Sequence, residues 1–318
     1  MSDIEILSES TARHTITREL VHKSDPDEVL LTTWRRTGPD SFSVTARWPA
    51  DRPFYRSADG GFEPLLATET VRQLFPLISH VGYDTSFDHH LVWEHHWYTL
   101  DPAVLRTDGR PAVLELEVAC SELLRRRTGP AGMTLDVHIL RDGIRLASAR
   151  SRFTVQAPAV YRRLRGADTD RERAMAAAPP APEGIPAIRT GRPDQADVLL
   201  SETPPGEFPE ETSDGISESS GPDARDWWLR VDTAHRQYFD HPVDHVPGML
   251  LLEAARQAAQ AVRHPAPALP VTMSAAFQRY VDLDAPCRIT AWAESPALVR
   301  VAAAQRGRLC FTADVGTA

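Results

Sequence analysis

Two short strings in this chain place an acid, a base and an amide at helical spacing: Glu69-Thr70-Val71-Arg72-Gln73 and Glu253-Ala254-Ala255-Arg256-Gln257. Residues three apart share one face of a helix, so each glutamate meets its arginine. The second string follows Leu250-Leu251-Leu252 and the first follows Pro64-Leu65-Leu66-Ala67, which predicts that the polar face is partly buried. Burial raises a carboxyl pKa and an adjacent guanidinium lowers it, and the balance decides whether the group can take a proton. A single E-x-x-R is ordinarily a surface ion pair; its recurrence, each time with Gln behind it, makes a duplicated site the sharper reading.

Ahead of the second string lies Asp240-His241-Pro242-Val243-Asp244-His245-Val246-Pro247-Gly248-Met249. Asp240 and Asp244 are placed to fix the tautomers of His241 and His245. Pro247-Gly248 reads as a helix start, because proline tolerates the first turn and glycine allows a ligand close to the backbone. The amides of Gly248 and Met249 then face outward at the positive end of the dipole, where a developing oxyanion would be stabilised. No Ser-His-Asp signature or G-x-S-x-G elbow is present.

The elements that must hold these groups also recur. In the first half Glu28-Val29-Leu30-Leu31-Thr32 leads to an alternating strand at 42–48 and the ExxRQ helix; in the second, Asp197-Val198-Leu199-Leu200-Ser201 leads to 227–232 and a helix running to about Val262. Strand patterns follow each helix, at 112–119, 133–140 and 144–155, then at 288–294, 298–305 and 308–315. Arg141-Asp142-Gly143 and Arg306-Gly307 read as hairpin turns. Each half is therefore expected to be α+β, an antiparallel sheet wrapped around a central helix. Nine of the 26 prolines fall between Pro179 and Pro222. They suggest domains at 1–165 and 223–318, joined by a linker over 166–222 with a first strand of the second domain near 197–201.

The stretch Tyr238–Ala259, with its D-H-P-x-D-H-V-P-G-M and E-A-x-R-Q-A strings, resembles the A-factor synthase family, and more distantly the hotdog acyl-carrier-protein dehydratases. Val21-His22-Lys23, Val29-Leu30-Leu31, Phe54-Tyr55, Glu69–Gln73 and Ser79-His80 add family-like features in the first half. The resemblance implies a tandem hotdog fold. It also implies transfer of a β-ketoacyl group from acyl carrier protein or coenzyme A to the hydroxyl of dihydroxyacetone phosphate, with closure of the ester to a butenolide phosphate. In that light Glu253, Glu69, His241 and Asp240 are the expected catalytic residues, the glutamates as general base or orienter of the acceptor hydroxyl. Arg256, Arg72, Gln257, Gln73, His245, Gly248 and Met249 are expected to bind substrate, with an arginine fork on the phosphate. The first half has Pro64-Leu65 in place of Pro-Gly and no counterpart of D-H-P-x-D-H, which predicts unequal pockets. Two other readings remain: a hotdog dehydratase or thioesterase, and a non-catalytic ligand-binding hotdog protein.

Composition narrows the partners. The chain has 318 residues, 42% hydrophobic and 25% charged, with net charge −9, an ordinary globular mix without a basic field for nucleic acid. Three scattered cysteines form no CxxC pair, and no apolar run reaches the roughly 18 residues of a membrane helix, so a cytoplasmic protein is expected. Among the histidines of Asp88-His89-His90-Leu91-Val92-Trp93-Glu94-His95-His96, strict strand alternation pairs His89 with His95 and His90 with His96. Each pair would be about 20 Å apart, too far to share an ion; no metal and no cofactor are expected. Arg125-Arg126-Arg127 and Arg162-Arg163 with Arg165 are candidates for steering an acidic carrier protein, although such runs are commonly solvated surface; homodimerisation is left open.

Overall fold

The computed structural model describes residues 12–57, 60–126, 129–166, 169–204, 221 and 223–318. They form two compact units, the first running to Arg56 and again over Gly60–Tyr161, the second taking in Ser57 and Arg162–Ala318.

The first unit contains strands β1 (His14–Thr15), β2 (Leu31–Gly38), β3 (Ser41–Trp48), β4 (His90–Leu100), β5 (Ala112–Arg126), β6 (Gly129–Arg141) and β7 (Ile144–Gln156), with helix α1 (Leu65–Tyr83). Its antiparallel sheet runs in the order β1-β2-β3-β5-β6-β7-β4. Period-two patterning decides which side faces the helix: Phe42, Val44, Ala46 and Trp48 of β3 are buried, as are Ala112, Leu114, Leu116 and Val118 of β5, while Val113, Glu115 and Glu117 face out. Helix α1 fills the concave side with Leu66, Val71, Leu74, Leu77 and Ile78. Inside that core Trp48 Nε1 donates to Thr70 Oγ1 at 2.8 Å, so the indole is buried without losing its hydrogen bond.

The second unit repeats the plan. Strands β8 (Leu200–Ser201), β9 (Arg225–Leu229), β10 (Pro270–Phe277), β11 (Cys287–Ser295), β12 (Leu298–Gln305) and β13 (Arg308–Thr317) run β10-β13-β12-β11-β9-β8. Its long helix (Gly248–Arg263) lies on β11 and β12. The small faces of Ala254, Ala255, Ala258, Ala259 and Ala261, all buried, allow a close approach to the sheet. Both expected hairpins form, with φ of 52° and 76° at Asp142 and Gly143 and 52° and 66° at Arg306 and Gly307. Paired positive φ values match the right-handed strand twist.

Two expectations are corrected. The stretch 166–195 is not a plain linker: it carries helices at Arg171–Ala177 and Ala187–Thr190, and Thr190 and Arg192 are buried. Most of the remaining linker segment, 204–222, lies outside the described residues. A register shift between Trp93 and His95 also breaks strand alternation in β4. An extra bulge residue reverses which face follows, so Trp93 and His96 meet at 5.0 Å, His96 is buried, and His90 stacks on Tyr161 at 3.6 Å. His90 and His96 therefore have separate surroundings, and among the described residues no acid, cysteine and histidine group could hold a metal ion.

Candidate functional site

The two ExxRQ strings build the same polar centre twice. On α1, Arg72 donates to Glu69 through Nε at 2.8 Å and Nη2 at 2.9 Å, while Lys23 Nζ lies 3.0 Å from Glu69 Oε1. On the long helix of the second unit (α5 in chain order, after short helices α2 at Pro158–Arg165, α3 at Arg171–Ala177 and α4 at Ala187–Thr190), Arg256 reaches Glu253 through Nε at 2.8 Å and Nη2 at 2.7 Å. There Arg192 Nε donates to Glu253 Oε1 at 2.7 Å. Each buried carboxylate thus faces two cations.

The glutamines are clips. Gln73 donates to Glu69 Oε1 and the Glu28 carbonyl at 2.9 and 2.8 Å, and its oxygen accepts from the Leu30 amide at 2.9 Å. Gln257 does the same with Glu253, Asp197 and Leu199, each at 2.8 Å. Through these bonds Gln73 and Gln257 tie the helix to the segment that precedes the first strand of each unit. Tyr55 donates to Glu28 at 2.6 Å and Arg52 pairs with the same carboxylate. Asp197 takes His235 at 3.0 Å.

Electrostatics decides what the glutamates can do. Burial pushes the Glu69 carboxyl up, but Arg72, Lys23 and their hydrogen bonds together outweigh it and hold it at about 2. Glu253 is likewise raised by burial and lowered further by Arg192 and Arg256. Both are anions at working pH, suited to orienting cations and poorly suited to accepting a proton. Tyr55 and Tyr238 are pushed well above the usual phenol range, first by burial and then by the neighbouring carboxylates, and stay protonated.

The loop before α5 forms a third group. His245 Nδ1 lies 2.8 Å from Asp244 Oδ1, and its ring meets Tyr280 edge-on at 4.7 Å. Asp244 in turn receives Arg165, whose Nη2 donates to its carbonyl at 2.8 Å and whose guanidinium lies 4.5 Å above Tyr280. Because a carboxylate only accepts, Nδ1 of His245 carries a hydrogen toward Asp244, and this bond fixes the orientation of the ring. His241 is more exposed, with Nδ1 3.6 Å from Asp240, beyond hydrogen-bond reach. Pro247 caps α5, and Gly248 and Met249 are its first residues, whose amides have no helical acceptor. Arg165 is only 7% exposed and engaged with Asp244 and Asp282, which removes it from the surface expected to meet a carrier protein. Arg125, Arg126, Arg162 and Arg163 are exposed; Arg127 lies outside the described residues.

Sequence reasoning named Lys23 only within Val21-His22-Lys23, without a role, and did not name Arg192. The signal was present in the duplicated string: a cation stands five positions before the acid in both Lys23–Glu28 and Arg192–Asp197.

The chain matches the family described as the A-factor biosynthesis hotdog domain over residues 7–157 and again over 174–317. A 2-oxo-3-(phosphooxy)propyl 3-oxoalkanoate synthase of Streptomyces virginiae is 42% identical over 278 residues, covering 87% of each chain. One of the same name from Streptomyces coelicolor is 40% identical over 301 residues, covering 92% of this chain and 88% of its own. Among solved structures, one described as an oleoyl thioesterase from Lactobacillus plantarum aligns with a TM-score of 0.50 at 12% identity, over 87% of this chain and 96% of that one, a likeness of fold alone.

Proposed function

The chain belongs to the A-factor biosynthesis hotdog family, and from that membership we propose that it is an acyltransferase joining a β-ketoacyl thioester to dihydroxyacetone phosphate. The relatives' name describes the ester such a reaction makes. The hydroxyl oxygen of the acceptor attacks the thioester carbon, a C–O bond forms, the C–S bond breaks, and the hydroxyl proton ends on the departing thiol. The methylene between the two carbonyls can then attack the acceptor's ketone, losing water to close a butenolide phosphate.

The observation that supports this reading is the pair of cations on each buried glutamate, Arg72 with Lys23 on Glu69 and Arg256 with Arg192 on Glu253. A thioesterase delivers water and needs no anion site; an acceptor bearing a phosphate does. Arg72, the more exposed of the two arginines, is the one placed to meet that anion, with Glu69 holding its fork; Arg256 and Glu253 form the buried counterpart. His245, with Nδ1 anchored on Asp244, is the better aimed proton acceptor of the two loop histidines; His241 and Asp240 shape the entrance of the loop. The Gly248 and Met249 amides stabilise the oxyanion. The donor is an acyl carrier protein or coenzyme A thioester, and exposed Arg125, Arg126, Arg162 and Arg163 suit an acidic carrier. The three cysteines are free thiols and no helix among the described residues is long and apolar enough to cross a membrane; both support action in the cytoplasm, either as a monomer or as a homodimer. Thiol release that depends on dihydroxyacetone phosphate is the test.

A further inference from the structure

The groups that hold the loop histidine of the second unit converge on one guanidinium. The 2.8 Å bond from His245 Nδ1 to Asp244 Oδ1 sets where the edge of the ring lies, yet leaves the ring able to swing about that bond. Tyr280 removes the second freedom by meeting the ring at 4.7 Å and 67°. The two partners come from different stretches of chain, Asp244 from the loop before α5 and Tyr280 from the connection between β10 and β11. A third group must fix them to each other.

Arg165, the last residue of α2, does so. Its Nη2 donates to the Asp244 carbonyl at 2.8 Å, its Nε lies 3.5 Å from Asp244 Oδ2, and its Cζ sits 4.5 Å from the centre of the Tyr280 ring. Its Nη1 donates to Asp282 Oδ1 at 2.9 Å. Asp282 is itself clamped. Its amide donates to Gln305 Oε1 at 2.8 Å, and Gln305 Nε2 donates back to the Asp282 and Ala285 carbonyls at 2.9 and 2.8 Å. Arg306 Nη1 donates to Asp282 Oδ2 at 2.8 Å. Arg165 therefore rests on a loop tied to the end of β12, and its side chain and that of Asp244 are only 7% and 5% exposed. The task needs a planar cation: the fork spans two aspartates while its face lies on an aromatic ring, which an ammonium does not reproduce.

We infer that Arg165 is a positioning residue for His245, holding the ring from two sides at once through Asp244 and Tyr280. This rests on the acyl-transfer reading for the step that His245 serves, and not for the geometry. A cavity of about 120 Å³ is lined by Asp170, Arg173, Asp244, Asp282, Asp284 and Arg306. Both aspartates that Arg165 bridges are among them, so a small planar cation can reach them once the arginine side chain is cut back.

The test compares Arg165→Lys and Arg165→Ala with the wild type. Arg165→Lys keeps the charge and loses the fork, so kcat for acyl transfer should fall about tenfold to a hundredfold while KM for the thioester and for dihydroxyacetone phosphate stays within about twofold. In Arg165→Ala, guanidinium chloride at tens of millimolar, far below its molar denaturing range, should recover most of the lost kcat, and equal sodium chloride should not. A second arm needs no turnover. Proton NMR of the full chain carrying nitrogen-labelled histidine should show a downfield Nδ1 proton that vanishes in His245→Gln, is lost or broadened in Arg165→Lys, and returns in Arg165→Ala with guanidinium. Wild-type kcat in Arg165→Lys, a loss carried by KM, guanidinium and sodium chloride acting alike, or an Nδ1 proton indifferent to residue 165 would each overturn the assignment. Should Arg165→Ala fail to fold, Arg165→Lys decides alone. An Nδ1 proton that depends on Arg165 in a protein without acyl transfer would keep the positioning and sink the reaction.

Discussion

Arg192 and Glu253 meet at 2.7 Å with both side chains entirely removed from solvent, whereas Lys23 and Glu69, their equivalents in the first unit, meet at 3.0 Å beside a partly exposed Arg72. The same three-residue arrangement therefore carries different penalties when its negative charge is deleted. Glu253→Gln removes the carboxylate that both buried guanidiniums face, and the loss of one partner from a buried ion pair costs about 3–5 kcal/mol. Glu69→Gln should cost about half as much, since Arg72 can turn to water. Urea unfolding of the two variants checks this; an equal or larger loss for Glu69→Gln would contradict the distinction between a closed and an open centre.

Gly191 offers an independent check on the closed centre. Adding a methyl group there meets a left-handed backbone and comes within 3.3 Å of Gln260 Cγ, while Gly143 at φ +76° has nothing within 4 Å. The backbone term, about 1–3 kcal/mol, is common to both sites. Gly191→Ala should therefore be more destabilising than Gly143→Ala, the excess measuring the shift forced on Gln260. Equal melting temperatures for the two variants would remove that contact from the account.

Acid should loosen the first unit in two stages. His96, enclosed by Ser151, Thr68, Trp93 and Tyr98, is lowered by burial from 6.5 to about 3, and Glu69 is held at about 2 against 4.5. Both folded values lie below the unfolded ones, so the unfolded chain binds more protons and stability falls as pH falls. The histidine contribution is complete above pH 6.5 and is lost toward 3, an effect on the order of 5 kcal/mol; the glutamate contribution is lost between 4.5 and about 2. Chemical denaturation at stepped pH should show this slope, and His96→Gln should flatten its upper part. A slope unchanged by that substitution would place the titration elsewhere.

Much of this organisation is legible in the chain. Period-two alternation located β3, β5, β6 and β7 because one face of each is in the core, and Asp142-Gly143 and Arg306-Gly307 located their turns because each ends in a glycine, which adopts positive φ without strain. The Glu–Arg contacts follow from helical spacing. Lys23 and Arg192 were hidden because they approach the helix from strands and turns far away in sequence, where no periodicity links them to Glu69 or Glu253. Proline content misled at 186–197, where prolines flank short helices and turns that deliver Arg192 into the core. The bulge at Trp93 and His95 leaves no mark in composition, so the faces of the histidine run were misassigned.

The most direct test of the acyl-transfer claim is a single incubation of the full chain with a β-ketoacyl thioester, with and without dihydroxyacetone phosphate, read by thiol release and mass spectrometry. Thiol should appear only with the phosphorylated acceptor, together with a β-ketoacyl ester of dihydroxyacetone phosphate or its dehydrated butenolide. Thiol released at the same rate without acceptor, leaving free β-keto acid, or no thiol in either tube, would contradict it.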